Sequence, residues 1–178
     1  MKKIRTKKII SRIHKPVDLT TEQWQTVLRR EFGKVQKFRM RNTGGQAVFS
    51  EFAVTNPETK RTYRVAIRGE RLGENFCACP DFSVNTLGTC KHIEFILARL
   101  RKHPKTRKTL SEGVALAFSE VFLRYGSRRQ VVLKTGTGAP PGLKDLAAAY
   151  FDTGNVLRED AFGRFGLFLD QAHNFRHE

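Results

Sequence analysis

The chain has 178 residues, with 33 Lys and Arg against 17 Asp and Glu, so its formal net charge is +16. Hydrophobic residues make up 39% of the chain, which is enough for a buried core and excludes disorder along the whole length. No apolar run approaches the roughly 20 residues that a membrane-spanning helix needs. The basic N-terminus leads only to Ile9 and Ile10, which is too short for a secretory signal. We therefore expect a cytoplasmic protein.

The positive charge is concentrated in the first 110 residues. Residues 1–45 carry a net charge of +10, residues 46–110 carry +6, and residues 111–178 are neutral. Lys and Arg bind nucleic acid chiefly by releasing counterions from its phosphates, so this asymmetry favours a polyanionic partner, most plausibly nucleic acid. The alternative, that the charge is incidental, stays open at this point.

A basic arm, residues 1–16, precedes the first predicted helix. Thr20 and Gln23 have the spacing of a capping box, which predicts a helix start, and Gly33 is predicted to end the helix. Apolar residues recur at helical spacing between these limits and predict a face packed in the core. They are Trp24, Val27, Leu28 and Phe32.

Two runs with alternating hydrophobicity follow and predict a β-hairpin. They span residues 47–55 and 61–69, and the turn-forming segment 56–60 joins them. In the second run Tyr63, Val65 and Ile67 share one face, which is predicted to be core. Arg64 and Arg68 lie on the other face, where they could follow a phosphate backbone or simply face solvent.

All three cysteines lie in one short stretch together with a histidine. The pattern is Cys77-x-Cys79, ten residues, then Cys90-x-His92. Three sulfurs and one imidazole form a ligand set that tetrahedral zinc prefers. Residues two apart face the same side only in extended chain, so Cys77 and Cys79 are expected on extended backbone. Residues two apart diverge in a helix, so Cys90 is expected just before a helix and His92 in its first turn.

The residues after His92 support this arrangement. Ile93, Ile96, Leu97 and Leu100 form a helical apolar stripe that ends before Pro104. A disulfide would leave one of the three cysteines unpaired, and a catalytic Cys–His pair would not explain the other two thiols. Four protein ligands close a zinc tetrahedron, whereas catalytic zinc keeps a position for water. We therefore expect one structural zinc ion and no enzyme activity.

These residues resemble the SWIM zinc finger, and in particular the SWIM-containing region that precedes the motor in bacterial Swi/Snf-type helicases. The motifs that carry the resemblance beyond the ligands are NPET at 56–59, YRVAIRG at 63–69, CPDF at 79–82 and NTLGTCKHIE at 85–94. The Trp24 helix and the stretches around Tyr125, Tyr150 and Phe165 are similar to flanks of that family. The resemblance implies zinc binding, and more broadly DNA binding or protein interaction.

The chain departs from that family in lacking the ATPase motor. It contains no Gly-x-x-x-x-Gly-Lys-Ser/Thr phosphate loop, and the nearest stretch, residues 136–142, contains two prolines and reads as a turn. The helicase activity is therefore not carried over. The chain is expected to be either the non-catalytic N-terminal portion of a split or truncated gene, or a free-standing module.

The last third is predicted to contain a second hairpin and two helices. A basic connector at residues 101–108 leads to strands at 120–125 and 130–135, and helices are expected at 143–151 and 159–173. The first helix should bury Leu143, Leu146, Ala147 and Tyr150, and the second should bury Phe162, Phe165, Leu169 and Ala172. The neutral charge of this region favours packing or docking of a protein partner.

Together these patterns predict an α+β protein with a basic arm at 1–16, a helix and SWIM finger at 17–104 with the finger core at 60–103, and a neutral α+β region at 105–178. The expected function is structural zinc binding in a DNA-binding or targeting module associated with a Swi/Snf-type helicase, and at the nucleoid if the protein is bacterial. A protein-interaction module with incidental charge is the alternative. Metal ligands are Cys77, Cys79, Cys90 and His92, and candidate phosphate contacts are Arg64, Arg68, Lys91, Arg99, Arg101 and Lys102.

Overall fold

The computed structural model describes residues 10–113 and 116–175, and it shows the predicted α+β architecture. Six α-helices, a four-stranded antiparallel sheet and a two-stranded hairpin are present in these ranges. Residues 1–9 of the predicted basic arm lie outside the described residues. Within the described ranges, no helix has the length and apolar character needed to cross a membrane.

Helix α1 spans Thr21–Val35, and its start is the predicted one. The Thr20 side chain accepts a hydrogen bond from the Gln23 backbone N–H, and the Gln23 side chain accepts one from the Thr20 backbone N–H, which completes the capping box. The expected end at Gly33 is wrong, because the helix continues to Val35. Gly33 instead packs against the backbone of a later helix, residues 91–100, where a larger side chain would not fit.

The apolar stripe of α1 is less buried than its spacing predicts. Trp24, Val27 and Leu28 are half-buried and Phe32 is 39% exposed, whereas Thr26 and Gly33 are buried. Because Gly33 has no side chain, α1 approaches the helix at residues 91–100 closely. A narrow face of small residues, Thr26 and Gly33, therefore points toward the core. The bulky residues therefore lie at the margin of the helix contact rather than in its centre.

The sheet contains four antiparallel strands, β1 Arg39–Asn42, β2 Glu51–Thr55, β3 Thr62–Ala66 and β4 Phe76–Cys77, in that spatial order. The predicted hairpin is β2 and β3, with Phe52 opposite Val65. Strand β1 was not expected from the sequence, because all four of its residues are exposed and show no apolar alternation. Strand β4 pairs Cys77 with Val65 and so brings the first cysteine to the sheet.

Three helices follow β4 along the chain. Helix α2, Pro80–Val84, lies within the ten residues between Cys79 and Cys90, where no helix was predicted. Helix α3, Lys91–Leu100, is the predicted helix after Cys90. Helix α4, Pro104–Glu112, occupies most of the predicted basic connector. Its proline stands in the first turn, where no intrahelical N–H is needed.

The C-terminal region contains the predicted hairpin, β5 Glu120–Arg124 with β6 Gln130–Lys134, followed by α5, Pro141–Ala148. The single expected helix at 159–173 is divided into a 3-10 helix, Glu159–Arg164, and α6, Phe165–His173. Because the helical period changes at Phe165, the buried residues differ from the predicted apolar stripe. Ala161 and Phe168 are buried, whereas Phe162 is 68% exposed and Leu169 is also exposed.

Two hydrophobic clusters organise the molecule. The first lies between the sheet and α3 and includes Phe52, Val65 and Ile96 together with all three cysteines. The second lies between the β5–β6 hairpin and the C-terminal helices and includes Leu133 and Phe168.

The C-terminal hairpin contacts the cysteine-containing region through Tyr125. The Tyr125 ring lies 4.5 Å from the Phe82 ring, and the Tyr125 N–H donates to the Gly73 carbonyl at 2.9 Å. The Gly73 N–H in turn donates to the Gly88 carbonyl at 3.0 Å. Gly88 has a positive φ of 69°, and a Cβ there would lie 2.7 Å from the Tyr125 backbone carbonyl oxygen. These three backbone segments therefore meet at a joint where only glycine fits.

Candidate metal centre

Each of the four predicted ligands occupies the end of a secondary-structure element. Cys77 ends β4, Cys79 is the N-cap of α2, Cys90 is the N-cap of α3, and His92 lies in the first turn of α3. The expected placement of Cys90 and His92 is therefore confirmed. Both N-cap residues have extended backbone.

The four side chains converge on one point. Their ligand atoms all lie within 4.8 Å of one another, and the Sγ atoms of Cys77 and Cys90 lie 3.7 Å and 4.0 Å from His92 Nδ1. Metal–sulfur bonds of about 2.3 Å and metal–nitrogen bonds of about 2.0 Å at tetrahedral angles separate ligand atoms by roughly 3.5–3.8 Å. The observed spacing fits such a site closely, so the cluster could hold one metal ion.

The cluster is enclosed by protein on all sides. The four ligand residues are each at most 3% exposed. The His92 ring lies 5.1 Å from the Phe38 ring and 4.9 Å from the Tyr63 ring, so aromatic packing fixes its plane. These contacts hold Nδ1 toward the sulfurs and leave the ring little freedom to rotate.

The thiols are not equivalent in acidity. Hydrogen bonds from Cys77 and then Cys90 hold the pKa of Cys79 well below its usual range. The hydrogen bond to Cys79 raises the pKa of Cys77 to about 12, and burial raises the pKa of Cys90. Protein groups alone thus favour one shared thiolate, because three buried negative charges repel one another. A bound dication would offset that repulsion and allow all three sulfurs to act as ligands.

One backbone donor contributes directly to the sulfur environment. The Phe82 N–H donates to Cys79 Sγ at 3.4 Å, so Cys79 caps α2 while its sulfur faces the cluster. Lys91, which follows Cys90, has its ammonium 5.8 Å from the Phe32 ring centre and 6.0 Å from that of Phe38. Its charge therefore lies over the aromatic rings between α1 and the cluster.

Several polar residues around the ligands were not assigned a role from the sequence. The Thr89 hydroxyl donates to the buried Glu94 carboxylate at 2.9 Å, which fixes the residue before Cys90. Arg29 binds Asp81 through two hydrogen bonds of 2.7 Å and 3.2 Å and ties α1 to α2. The Asn85 amide donates to the Thr89 carbonyl at 3.1 Å and closes the loop between the cysteines. These roles depend on contacts between residues that are distant in the sequence, since Arg29 and Asp81 are 52 residues apart. The sequence alone therefore does not reveal them.

The predicted phosphate contacts divide into two groups. Arg64, Arg68 and Arg101 form ion pairs with Glu51, Glu120 and Glu70, at 3.1 Å, 2.5 Å and 2.9 Å. Arg68 is also only 23% exposed and its guanidinium lies 5.5 Å from the Phe122 ring centre, so it joins the sheet to the C-terminal hairpin. Arg99 and Lys102 are exposed, and Lys91 is half-buried. Three of the six predicted phosphate contacts are therefore held in ion pairs with glutamates, and two others are exposed.

Comparison with known proteins adds no further information about the centre. No family model, curated protein or solved structure matches the chain. What can be stated of the site therefore comes from its own geometry: a buried cluster of three cysteines and one histidine that could bind one metal ion.

Proposed function

We propose that the protein is a SWIM-type zinc module in which Cys77, Cys79, Cys90 and His92 hold one structural zinc ion. The convergence of these four buried ligand atoms within 4.8 Å carries the proposal. Zinc fits three thiolates and an imidazole better than the oxygen-seeking cations do. The sequence motifs around the ligands, which resemble the SWIM region of bacterial Swi/Snf-type helicases, support the same assignment.

The zinc ion has a structural role in this proposal, and the protein is not an enzyme. Four protein ligands complete a tetrahedron, so no coordination position is left for a reacting water. The ligands come from β4 and from the starts of α2 and α3, elements of two, five and ten residues. The ion links these short elements and supplies folding free energy that they lack by themselves.

The module binds nucleic acid, with DNA favoured, through its basic surface. The positive charge of residues 1–110 supports this, since phosphate binding is driven by the release of counterions. Recognition is proposed to be only weakly selective for sequence, since nothing in the sequence resembles a recognition helix with base-reading side chains. A Swi/Snf-type helicase is the proposed partner, and the nucleoid the proposed location in a bacterium.

Titration of labelled duplex DNA with the zinc-loaded protein at several salt concentrations tests this function. We expect the logarithm of the binding constant to fall linearly with the logarithm of the salt concentration, with a slope of about −0.9 for each phosphate contact. Protein stripped of zinc by a chelator is the control and should bind much more weakly. Affinity that does not change with salt would contradict binding led by phosphate contacts.

A protein-interaction module is the second candidate, and exposed apolar side chains in the neutral region favour it. Phe118, Phe162 and Leu167 are each more than half exposed. Aromatic side chains are enriched in protein–protein interfaces relative to the rest of a protein surface. Recovery of a Swi/Snf-type ATPase after nuclease treatment, together with no binding of bare DNA, would favour this role over DNA binding.

A further inference from the structure

The four-stranded sheet has one face in the core, and its opposite face is exposed over β1 and at Arg64 but covered at Ala66 and Phe76. The core face carries Phe52, Val54 and Val65, all buried, and Cys77 beside them. Side chains alternate between faces along a strand, so their neighbours project to the opposite side. That opposite face carries Arg39 and Arg41 of β1, Glu51, Ala53 and Thr55 of β2, Thr62, Arg64 and Ala66 of β3, and Phe76 of β4.

We propose that three arginines on the exposed part of this face, Arg39, Arg41 and Arg64, bind the phosphate backbone of duplex DNA. We call this surface the arginine face. The inference rests on the proposed function and specifies the surface that performs it. It differs from the sequence-based assignment, which placed most phosphate contacts on Lys91 and the end of α3.

The register of the sheet places the three arginines in one array. Arg41 lies opposite Ala53, and Ala53 lies opposite Arg64, so the small Ala53 side chain separates two guanidinium groups. Arg39 and Arg41 are two residues apart, about 6.8 Å along the strand. Duplex DNA carries one phosphate per strand about every 3.4 Å along its axis, so neighbouring arginines can contact separate phosphates.

The charges on the arginine face are available to a ligand. Arg39 and Arg41 are exposed and form no ion pair with any other residue in the described ranges. Arg64 pairs with Glu51, but the two side chains are 61% and 41% exposed. Such an exposed ion pair contributes little to stability, so Arg64 can readily exchange Glu51 for a phosphate. Further exposed cations flank the face: Lys37, Lys60 and Arg61.

Protection of the sheet edge does not account for all of these arginines. Charged residues on an edge strand prevent pairing with a second sheet, and this explains Arg39 and Arg41 on β1 equally well. Arg64, however, lies on β3, which is paired on both sides by β2 and β4. A third arginine in the interior of the sheet, on the same face, indicates a ligand rather than edge protection.

The face suits duplex backbone better than unstacked bases. Proteins that bind single strands on a sheet present aromatic rings on which bases stack. Within strands β1–β4 the one ring on this side is Phe76, which packs against Phe82 and Tyr125 and lies beneath the Arg64 guanidinium. It is therefore already in contact with protein groups, and the remaining surface is made of Arg, Thr and Ala together with Glu51, the partner of Arg64.

The arginine face is built directly on the metal centre. The Ala78 N–H, between the first two cysteines, donates to the Arg64 carbonyl at 2.9 Å. The residues on either side of Arg64 also contact the centre, since the Tyr63 ring lies against His92 and Val65 pairs with Cys77. Loss of the ion would therefore displace Arg64, which connects metal binding to DNA binding.

Charge-matched variants of the full zinc-loaded chain test the proposal. In the first, Arg39, Arg41 and Arg64 are each changed to Gln. In the control, three exposed cations of the neutral region, Arg128, Lys144 and Arg164, are changed to Gln, which removes the same net charge. The probe is a labelled 20-base-pair DNA duplex of mixed sequence, titrated at several salt concentrations, and retention of zinc verifies that each variant folds.

The first variant should weaken duplex binding on the order of tenfold and reduce the salt slope by about 2.7, while the control should bind like the parent chain. If the first variant does not retain zinc, the Arg39→Gln, Arg41→Gln double variant, which leaves β3 intact, should reduce the slope by about 1.8. Equal effects of both triple variants, or none from the arginine-face variant, would overturn the inference and leave DNA binding intact. A parent chain that binds no duplex would overturn both.

Discussion

Cys79 combines two structural roles in one side chain. Its sulfur faces the metal cluster, and the same sulfur accepts the Phe82 N–H as the N-cap of α2. Serine is also a good N-cap, but its hydroxyl is a poor zinc ligand beside two thiolates. The substitution Cys79→Ser therefore removes the metal ligand and keeps the cap, so its effect measures the ligand alone.

We predict that Cys79→Ser destabilises the protein by several kcal/mol, because folding and metal binding are coupled in small zinc modules. Limited proteolysis should then cut within residues 60–100, and a strong chelator should produce the same pattern in the parent chain. Ser83→Ala, an exposed change four residues further along α2, is the control and should retain full protection. Unchanged protection in Cys79→Ser would contradict a structural role for the ion.

The cluster of candidate metal ligands could be predicted from the sequence, whereas the residues that support it could not. A thiol carries its coordinating chemistry in its own side chain, so spacing along the chain sufficed for Cys77, Cys79, Cys90 and His92. The role of Glu94 depends on its partners, the Thr89 hydroxyl and the Arg30 guanidinium 3.5 Å away. Only the folded chain brings Arg30 to it, so no local pattern identifies the pair.

At the scale of elements, α1 and α3 approach each other most closely at Gly33. A Cβ on Gly33 would lie 2.8 Å from the Glu94 Cβ, 2.9 Å from the Lys91 carbonyl oxygen and 2.9 Å from the Phe95 nitrogen. Two of these neighbours are backbone atoms of α3, which cannot move without shifting the helix that carries His92. Gly33, which the sequence predicts as the end of α1, is thus a point of contact between α1 and α3.

We predict that Gly33→Ala destabilises the protein by about 1–3 kcal/mol, because the added methyl group overpacks this contact. Gly166→Ala in α6 is the matched control, since nothing lies within 4 Å of a Cβ at that position. It should stabilise the protein by up to about 1 kcal/mol, because alanine favours helix. Denaturant unfolding of both variants gives the two values, and equal signs would contradict this account of Gly33.

Elements with a strong periodic pattern were predicted well, and elements without one were missed. The β2–β3 hairpin, α3 and the β5–β6 hairpin alternate or repeat in hydrophobicity, and their positions are confirmed. Strand β1 is exposed throughout and is held by pairing with β2. The second C-terminal helix shifts from 3-10 to α geometry at Phe165, so a single helical period assigned its buried face wrongly.

For the molecule as a whole, the joint of Gly73, Gly88 and Tyr125 connects the loop between the cysteines to the C-terminal hairpin. The Gly88 backbone has a positive φ of 69°, and its surroundings leave no room for a side chain. Gly113 offers a comparison, because its φ of 71° is nearly the same but nothing lies within 4 Å of a Cβ there. At Gly113 only backbone strain opposes a side chain, whereas at Gly88 the neighbouring atoms oppose it as well.

We predict that Gly113→Ala costs about 1–3 kcal/mol, because its φ of 71° and ψ of 163° lie in a region that is essentially restricted to glycine. Gly88→Ala should cost more, because the methyl group also clashes with the Gly73 nitrogen and the Tyr125 oxygen at 2.7 Å. It should also expose the C-terminal hairpin to protease. Thermal unfolding of the two variants measures the difference, and an equal loss of stability in both would show that the joint contributes nothing beyond strain.

The complete burial of the four ligands also has a kinetic consequence. With every ligand residue at most 3% exposed, neither water nor a competing chelator can reach the coordination sphere in the closed fold. Exchange of a bound ion would then require local opening of the β3–β4 pairing or of the start of α3, and its rate would be set by that opening rather than by chelator strength. Removal of the proposed zinc ion would therefore follow the same time course at any chelator concentration above saturation.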